Sequence, residues 1–323
     1  MIKNIIGIHL EKCRDLWLNN HMNNLYFDVR NIHCTYERAN DKEPKLALDV
    51  ESLQIPQGEI IFIVGQSGCG KSTILESLGL MSNTIKPGTD SKFMFYPNEE
   101  ESIDYTTIWT KPNLFLSRLR LDHFSFIFQQ TNLMKSFNIF ENIAMTLMLQ
   151  GATNYQALAA TTRVLEEVGL EDFIIKKDGG LDKNSKVFSL PTEASGGQRQ
   201  RMAFARAIIA KFDVLFCDEP TGNLDAYTAD RLISYLQNEM RKKINATAII
   251  VSHDLPLAMK YGDRIIKIFK RHGKTNSEDD FYGVINPSSV FEKNNTGWLH
   301  NQNFVTNEWV LEKLRNNEDQ FIQ

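Results

Sequence analysis

The chain has little of what marks secreted, membrane-spanning or polyanion-binding proteins. Its 323 residues include four cysteines without a CxxC pair, which excludes a disulfide framework and a cysteine zinc site and favours a reducing compartment. The longest apolar runs, at residues 61–64 and 248–251, fall far short of the roughly 18 residues that a membrane-spanning helix needs. A net charge of -4 argues against a general polyanion binder, so direct nucleic-acid binding is not expected.

What is present is an ordinary globular composition with alternating strand and helix patterns. Hydrophobic residues make up 42% of the chain, which excludes disorder over most of its length. Apolar runs without polar alternation predict buried strands at 59–64, 214–217, 246–251 and 264–269. Helical spacing predicts helices at 71–81, 197–210 and 229–242. Strands that alternate with helices indicate an α/β fold with a mostly parallel sheet.

Five stretches depart from this pattern. A lead-in at 1–25 has helix-like apolar spacing, and residues 83–115, rich in proline and acidic residues, predict a surface arm with short strands at best. Helical periodicity returns after residue 136, which predicts a helical subdomain at about 136–200, with an inserted polar loop at 178–186. The polar, Asn-rich stretch 271–323 is expected to be a C-terminal extension of unknown role outside the main domain at 26–270.

The strongest motif is a glycine-rich loop between the first predicted buried strand and the following helix. It matches GxxxxGK[ST], a spacing whose glycines let backbone N–H groups turn inward and cradle phosphate oxygens at a helix N-terminus. Lys71 is the residue that reaches the β- and γ-phosphates, and the Ser72 hydroxyl is a ligand for Mg²⁺. The predicted nucleotide-binding residues of this loop are Gly65, Gln66, Ser67, Gly68, Cys69, Gly70, Lys71, Ser72 and Thr73.

Two carboxylates at the end of a second buried strand supply the other half of an ATPase site. Ionised acids are costly to bury without partners, so Asp218 and Glu219 are poor core residues after the apolar run 214–217. Asp218 fits the role that holds the magnesium shell, and Glu219 is the candidate for polarising the attacking water. Glu219 points to the opposite face if the strand continues, or into the site if the strand bends; a helix N-cap pair is the structural alternative.

A further motif, Ser195-Gly196-Gly197-Gln198, stands 23 positions before Asp218. Together with the phosphate loop and the acidic strand end, it resembles the signature of ABC-type ATPases, over about residues 26–270. The resemblance implies a P-loop NTPase fold of ABC type, with a mostly parallel core sheet, an antiparallel β arm and an inserted helical subdomain. It implies ATP and Mg²⁺ as cofactors, and ATP hydrolysis as the activity.

The resemblance also assigns roles to residues outside the two central motifs. Tyr36 is similar to the aromatic residue that stacks on adenine, and Gln129 to the glutamine that touches Mg²⁺ and senses the transport partner. Asp225, in Asn223-Leu224-Asp225, is similar to the loop that crosses the dimer interface, and His253 to the switch histidine. The implied catalytic residues are Glu219, His253 and Lys71; the implied metal ligands are Ser72, Gln129 and Asp218.

Within the family, residues 219–225 and 140–151 resemble the branch that serves lipoprotein-release, macrolide-export and cell-division membrane partners. Because each chain has one phosphate loop and one signature, the resemblance implies a head-to-tail pair of ATPase subunits, either a homodimer or two paired chains. It also implies a separate transmembrane permease and a cytoplasmic location at the inner face of the membrane. Two alternatives remain: a soluble ABC-type ATPase in a defence or signalling complex, and a nucleotide-binding scaffold without turnover.

Overall fold

The computed structural model describes residues 24–36, 44–174, 176–177, 180–182, 184–243, 245–273 and 281–316. Residues 1–23 of the predicted lead-in lie outside these ranges. Residues 178, 179 and 183 of the predicted polar loop at 178–186 also lie outside them. The strands, in chain order, are β1 (Leu25–Tyr36), β2 (Lys45–Pro56), β3 (Ile60–Val64), β4 (Ile85–Phe95), β5 (Ile103–Asp104), β6 (Phe124–Ile127), β7 (Lys176–Lys177), β8 (Gly180–Leu181), β9 (Val214–Asp218), β10 (Thr247–Val251), β11 (Arg264–Lys267), β12 (Phe269–His272), β13 (Phe281–Ile285), β14 (Val290–Asn294), β15 (Gly297–His300) and β16 (Asn303–Val305). The α-helices are α1 (Lys71–Leu78), α2 (Asn113–His123), α3 (Ile139–Leu149), α4 (Asn154–Glu167), α5 (Gly196–Ile209), α6 (Ala226–Lys242), α7 (Leu255–Tyr261) and α8 (Asn307–Arg315).

The core sheet contains the predicted parallel strands. Its order is β16-β15-β14-β11-β3-β10-β9-β6, with β11, β3, β10, β9 and β6 mutually parallel and β14 to β16 antiparallel. Every residue of β3 and β10 is buried, because elements pack on both faces of the sheet. The predicted strand at 264–269 is wrong at its end: it stops at Lys267, and Phe269 begins β12, which belongs to the other sheet.

The second sheet is mostly antiparallel, in the order β12-β13-β2-β1-β4-β5. The prediction of short strands at best over 83–115 is wrong here, because β4 is an eleven-residue strand paired with β1. Residues 86–90, which include the proline and glycine that favoured a loop, are exposed, whereas Phe93 and Phe95 in its second half are fully buried. The rings of Phe27 and Phe95, 4.9 Å apart, belong to the aromatic cluster between the two sheets.

Within the predicted helical subdomain lie α3 and α4, and capping residues fix where these two helices begin. Asn138 and Glu141 form a capping box at the start of α3, and Thr153 and Gln156 form another at α4. Buried residues of α3, α4 and α5 join the apolar core on the face of the core sheet opposite the aromatic cluster. The subdomain is thus anchored to the strands that carry the nucleotide site.

Residues 281–316, here called the terminal segment, pack as part of the main body. β13 enters the antiparallel sheet beside β2, and β14 extends the core sheet beside β11. Trp298 is 1% exposed and Val310 of α8 is fully buried, and both belong to the apolar core. The composition change after Phe269 therefore does not coincide with the end of the folded unit, since both sheets use strands from beyond residue 270.

Candidate nucleotide site

The phosphate loop lies between the carboxyl end of β3 and the first turn of α1. Gly68 and Gly70 have φ values of +76° and +95°, a left-handed backbone conformation that residues other than glycine rarely adopt. Gly70 is the N-cap of α1, and its carbonyl accepts the first helical hydrogen bond from Ile74 N–H at 3.0 Å. The loop therefore presents backbone N–H groups and a helix N-terminus to an anion.

Lys71 places its ammonium group inside this loop. Its Nζ donates hydrogen bonds to the carbonyl oxygens of Gly65 at 3.0 Å and Gln66 at 2.8 Å. These two bonds fold the side chain back over the loop that it follows in sequence. The positive charge thus lies at the loop in which the β- and γ-phosphates are predicted to bind.

Ser72 and Asp218 meet, although 146 positions separate them in sequence. Ser72 Oγ donates to Asp218 Oδ2 at 2.8 Å, which joins the phosphate loop to the end of β9. Burial raises the pKa of Asp218, a shift that the Ser72 hydrogen bond and the Lys71 charge oppose. A partly buried carboxylate beside a hydroxyl is an oxygen donor set that fits Mg²⁺, which commonly takes one or two carboxylates together with substrate phosphates. The described ranges contain no group of three or more His, Cys, Asp or Glu able to hold a metal ion.

Glu219 bends into the site. β9 ends at Asp218, and Glu219 adopts a φ of +48°, which turns the chain out of the strand. Its backbone N–H donates to the Val251 carbonyl at 3.0 Å, and its Oε1 lies 3.5 Å from Nδ1 of His253. The parallel pairing of β9 with β10 places the two side chains together, because both follow adjacent strand ends. A left-handed, non-glycine residue at this point is a local cost that functional sites often carry.

Tyr36 and the phosphate-loop helix are also in contact. The Tyr36 hydroxyl donates to Thr73 Oγ1 at 3.2 Å, and the ring is 38% exposed at the end of β1. Burial raises the pKa of this phenol, so the group stays a neutral donor. The predicted aromatic residue therefore lies beside the loop, with part of its surface open to solvent.

The other predicted residues outside the loop make local contacts. Ser195 caps α5, where its Oγ accepts from Gln198 N–H at 3.3 Å, and Asp225 caps α6 by accepting from Thr228 N–H at 2.9 Å. Among the described residues, no hydrogen bond or ion pair joins residues 195–198 to the phosphate loop. Gln129 is exposed two positions after β6, and in the same ranges no hydrogen bond links it to Ser72 or Asp218.

One connecting residue was missed by the sequence analysis. Gln200, 2% exposed, donates from Nε2 to the carbonyls of Glu219 at 3.2 Å and Pro220 at 2.7 Å. Its Oε1 accepts from the N–H of Asn223 at 3.2 Å. Gln200 thereby fixes the signature helix to the loop that carries the predicted base. The available signal was a polar residue on the buried face of α5, at helical spacing from Phe204 and Ala207.

Comparison with known proteins agrees with this geometry. The family model described as "ABC transporter" matches residues 48–222. The chain is 32% identical to the lipoprotein-releasing system ATP-binding protein LolD of Colwellia psychrerythraea, over 79% of this chain and 88% of that protein. It is also 32% identical to the methionine import ATP-binding protein MetN of Carboxydothermus hydrogenoformans, over 73% of this chain and 61% of that protein.

Solved structures show the same fold. The dimeric structure of the bacterial ABC transporter cassette MJ0796 superposes with a TM-score of 0.60 at 26% identity, and covers 75% of this chain and 93% of that one. The same cassette in a post-hydrolysis state bound to ADP and phosphate gives a TM-score of 0.58.

The chain belongs to the ABC transporter family and is an ATP-binding, ATP-hydrolysing subunit of that family. The predicted fold class is confirmed, and so is the resemblance to the branch that includes lipoprotein release. Within the described residues, none of the helices has the length and apolar character needed to cross a bilayer.

Proposed function

We propose that two of these chains close head to tail around ATP and Mg²⁺, and that the closure drives a separate membrane-spanning partner from the cytoplasmic face of the membrane. The observation that carries the proposal is the division of the site within one chain. The hydrogen bond between Ser72 and Asp218 joins the phosphate loop to the strand end that carries Glu219. Among the described residues, no hydrogen bond or ion pair joins Ser195 to that loop, and its hydroxyl accepts from Gln198 N–H of its own helix. A second chain, related by a two-fold axis, supplies the missing signature to each loop.

In this scheme each group has a defined chemical task. Lys71 and the loop N–H groups bind the β- and γ-phosphates, and Tyr36 stacks on the adenine. Ser72 and Asp218 hold Mg²⁺, which when bound offsets the charge of the phosphates. Glu219 accepts a proton from the attacking water, and His253, 3.5 Å away, orients that carboxylate and contacts the γ-phosphate.

The γ-phosphate decides whether the dimer is closed. The partner's signature presents a hydroxyl, backbone N–H groups and the N-terminus of α5 to that phosphate, so these contacts exist only before hydrolysis. Once the cleaved phosphate has left the site, the differential affinity for the closed state is lost and the subunits separate. The similar MJ0796 cassette is a dimer in both solved structures, one of them a post-hydrolysis state bound to ADP and phosphate, which supports the pairing of two subunits.

An apolar patch on the helical subdomain supports docking to a membrane partner. Phe137, Phe188 and Leu190 are all exposed, and the hydrogen bond from Ile139 N–H to the Ser189 carbonyl at 3.0 Å holds their two segments side by side. Exposed apolar clusters of this kind mark protein contacts. The similar LolD proteins are named for a lipoprotein-releasing system, which is the type of assembly that we propose for this chain.

A mixing experiment tests the composite site. Lys71→Ala removes the phosphate-loop charge, and Gly196→Asp places a negative charge at the signature, where an added side chain meets nothing within 4 Å of its own chain. Each variant alone should be inactive, but an equal mixture should recover about a quarter of wild-type hydrolysis, because mixed dimers contain one intact site. Gly88→Asp is the control that should retain activity, because this exposed glycine lies outside the motifs and an added Cβ would have only Ser91 Oγ within 4 Å, at 3.7 Å.

Absence of recovery in the mixture would contradict the composite site.

The membrane partner is tested separately by recovering the chain from detergent-solubilised membranes. Phe188→Glu should release it, whereas Phe304→Glu, at a still more exposed position in the terminal segment, should not. Retention of the Phe188→Glu chain would refute the patch, and failure of the wild-type chain to associate with membranes would favour a soluble ABC-type ATPase.

A further inference from the structure

Two strands that are far apart in sequence, β2 and β13, pack side by side against the phosphate loop. β13 of the terminal segment pairs in parallel with β2, and Gly283 is opposite Leu48 in that pairing. A Cβ atom on Gly70 would lie 3.2 Å from the Ala47 carbonyl and 3.3 Å from Leu48 Cβ. The loop therefore rests directly on the pair formed by Leu48 and Gly283.

Gly283 is the point of closest approach. A Cβ atom at this position would overlap the carbonyl oxygen of Cys69, in the middle of the phosphate loop. It would also lie 2.7 Å from Cγ2 of Ile268 and 2.8 Å from Cδ1 of Leu48. Since Gly283 is not among the residues with positive φ, the requirement for glycine here comes from space and not from backbone conformation.

The direction of the Cys69 carbonyl has a chemical consequence. In a trans peptide, the C=O of one residue and the N–H of the next point in opposite directions. Because the Cys69 oxygen is directed at Gly283, the N–H of Gly70 is directed away from β2 and β13, towards the inside of the loop. A side chain at position 283 would push this peptide unit and change where that N–H points.

Phe281, two residues earlier on β13, contacts the loop at a second place. Its ring carbon Cζ would lie 3.3 Å from a Cβ atom on Gly68. The Nζ of Lys270 lies 3.4 Å from the centre of the same ring, which holds the ring by a cation–π contact. Gly68, Cys69 and Gly70 are thus all supported from below by β2 and β13.

We propose that Gly283 and Phe281 are positioning residues for the phosphate loop, which they hold in the shape that binds nucleotide phosphates. The inference rests on the assignment of that loop as the nucleotide site. It gives the terminal segment a role in ATP binding, although its residues have no place in the motifs and lie beyond the predicted domain. The residues act through the backbone of 68–70 and do not touch the nucleotide.

The test compares two glycine substitutions in the full chain. Gly283→Ala should weaken MgADP binding about tenfold or more, the cost of losing one hydrogen bond to a charged group. Gly262→Ala is the matched control, because its Cβ would lie 2.6 Å from the Ala258 carbonyl, at the other end of β3 from the loop. Both substitutions should lower the melting temperature, and only Gly283→Ala should raise the Kd.

A milder pair keeps the test decisive if Gly283→Ala does not fold. Phe281→Leu removes the ring from Gly68 and should raise the Kd several-fold, whereas Phe291→Leu, buried in the same segment, should leave it unchanged. Wild-type affinity in Gly283→Ala or Phe281→Leu, or equal weakening in their controls, would overturn the positioning role alone. Failure of the unsubstituted chain to bind MgADP would overturn both this inference and the nucleotide assignment beneath it.

Discussion

Replacing Glu219 by glutamine isolates the chemical step from binding. The substitution keeps side-chain size and leaves the backbone bond from residue 219 to the Val251 carbonyl intact. It also requires no new backbone strain, because glutamine and glutamate tolerate the left-handed φ of +48° equally. The Glu219 side chain is 24% exposed, so the amide that replaces the carboxylate can still form hydrogen bonds with solvent. Folding and ATP binding should therefore be unchanged.

The expected loss is confined to hydrolysis. Removal of a general base costs about a hundred- to ten-thousand-fold in rate, which corresponds to about 3–5 kcal/mol of activation free energy. His253 stays in place 3.5 Å from residue 219, but the side chain at position 219 no longer has the carboxylate that accepts the proton. Because ATP then persists in the site, the closed dimer should accumulate.

Size-exclusion chromatography with MgATP, with MgADP and without nucleotide, together with phosphate release, measures both effects. Glu219→Gln should form a dimer only with MgATP, and Glu99→Gln, an exposed glutamate in a remote loop, should behave like wild type. Wild-type turnover in Glu219→Gln would refute its role as the base. A variant that loses hydrolysis but stays monomeric with MgATP would refute nucleotide-driven closure of the isolated subunit.

Three further perturbations test the site and its support. Lys71→Ala should abolish measurable ATP binding in a titration with little change in melting temperature, because its ammonium contacts loop carbonyls and no core; unchanged affinity would contradict the phosphate-loop assignment. Trp298→Ala should lower the free energy of unfolding by about 3–5 kcal/mol in denaturant titrations, because this side chain is 1% exposed. A loss below about 1 kcal/mol would show that the terminal segment does not support the main body. Burial lowers the pKa of Lys243 to about 8 from 10.5, while its ammonium donates to the carbonyls of Ile208 and Ala210 at the end of α5. Between these two pKa values the unfolded chain binds more protons than the folded one, so the stability of wild type relative to Lys243→Met should rise from pH 8 to 10.5, and a flat difference would contradict the shift.

The sequence predicted the features whose cause is local. The spacing of Gly65, Lys71 and Ser72 specifies a loop that binds phosphate, because consecutive residues build the whole structure. Uninterrupted apolar runs predicted the buried parallel strands, since burial on both faces removes the polar alternation. Asp218 could be proposed because an acid that ends an apolar strand is costly to bury, whereas His253 was proposed only through the family resemblance. The parallel pairing of β9 with β10 then brings the ends of both strands to one edge of the sheet.

The terminal segment was misjudged from composition. A polar average over residues 271–323 hides the few buried side chains, such as Trp298 and Val310, that fix it to the core. In the same way, the proline and acidic residues of 83–115 obscured β4, whose buried half depends on its pairing with β1. Burial that is concentrated in a few positions is visible only once the partner surfaces are known.

Other features depended wholly on tertiary structure. The sequence left open whether Glu219 points away from the site or into it, and the bend to a φ of +48° decided this, because the Val251 carbonyl of a neighbouring strand accepts its N–H. Gln200 acquires its role only when α5 packs beside residues 219–223. Gly283 is 214 positions from Cys69, and nothing in the local sequence of either residue signals their contact. Local spacing therefore determined which groups of the phosphate loop are proposed to perform the chemistry, while long-range strand pairing determined how we propose that this loop is supported.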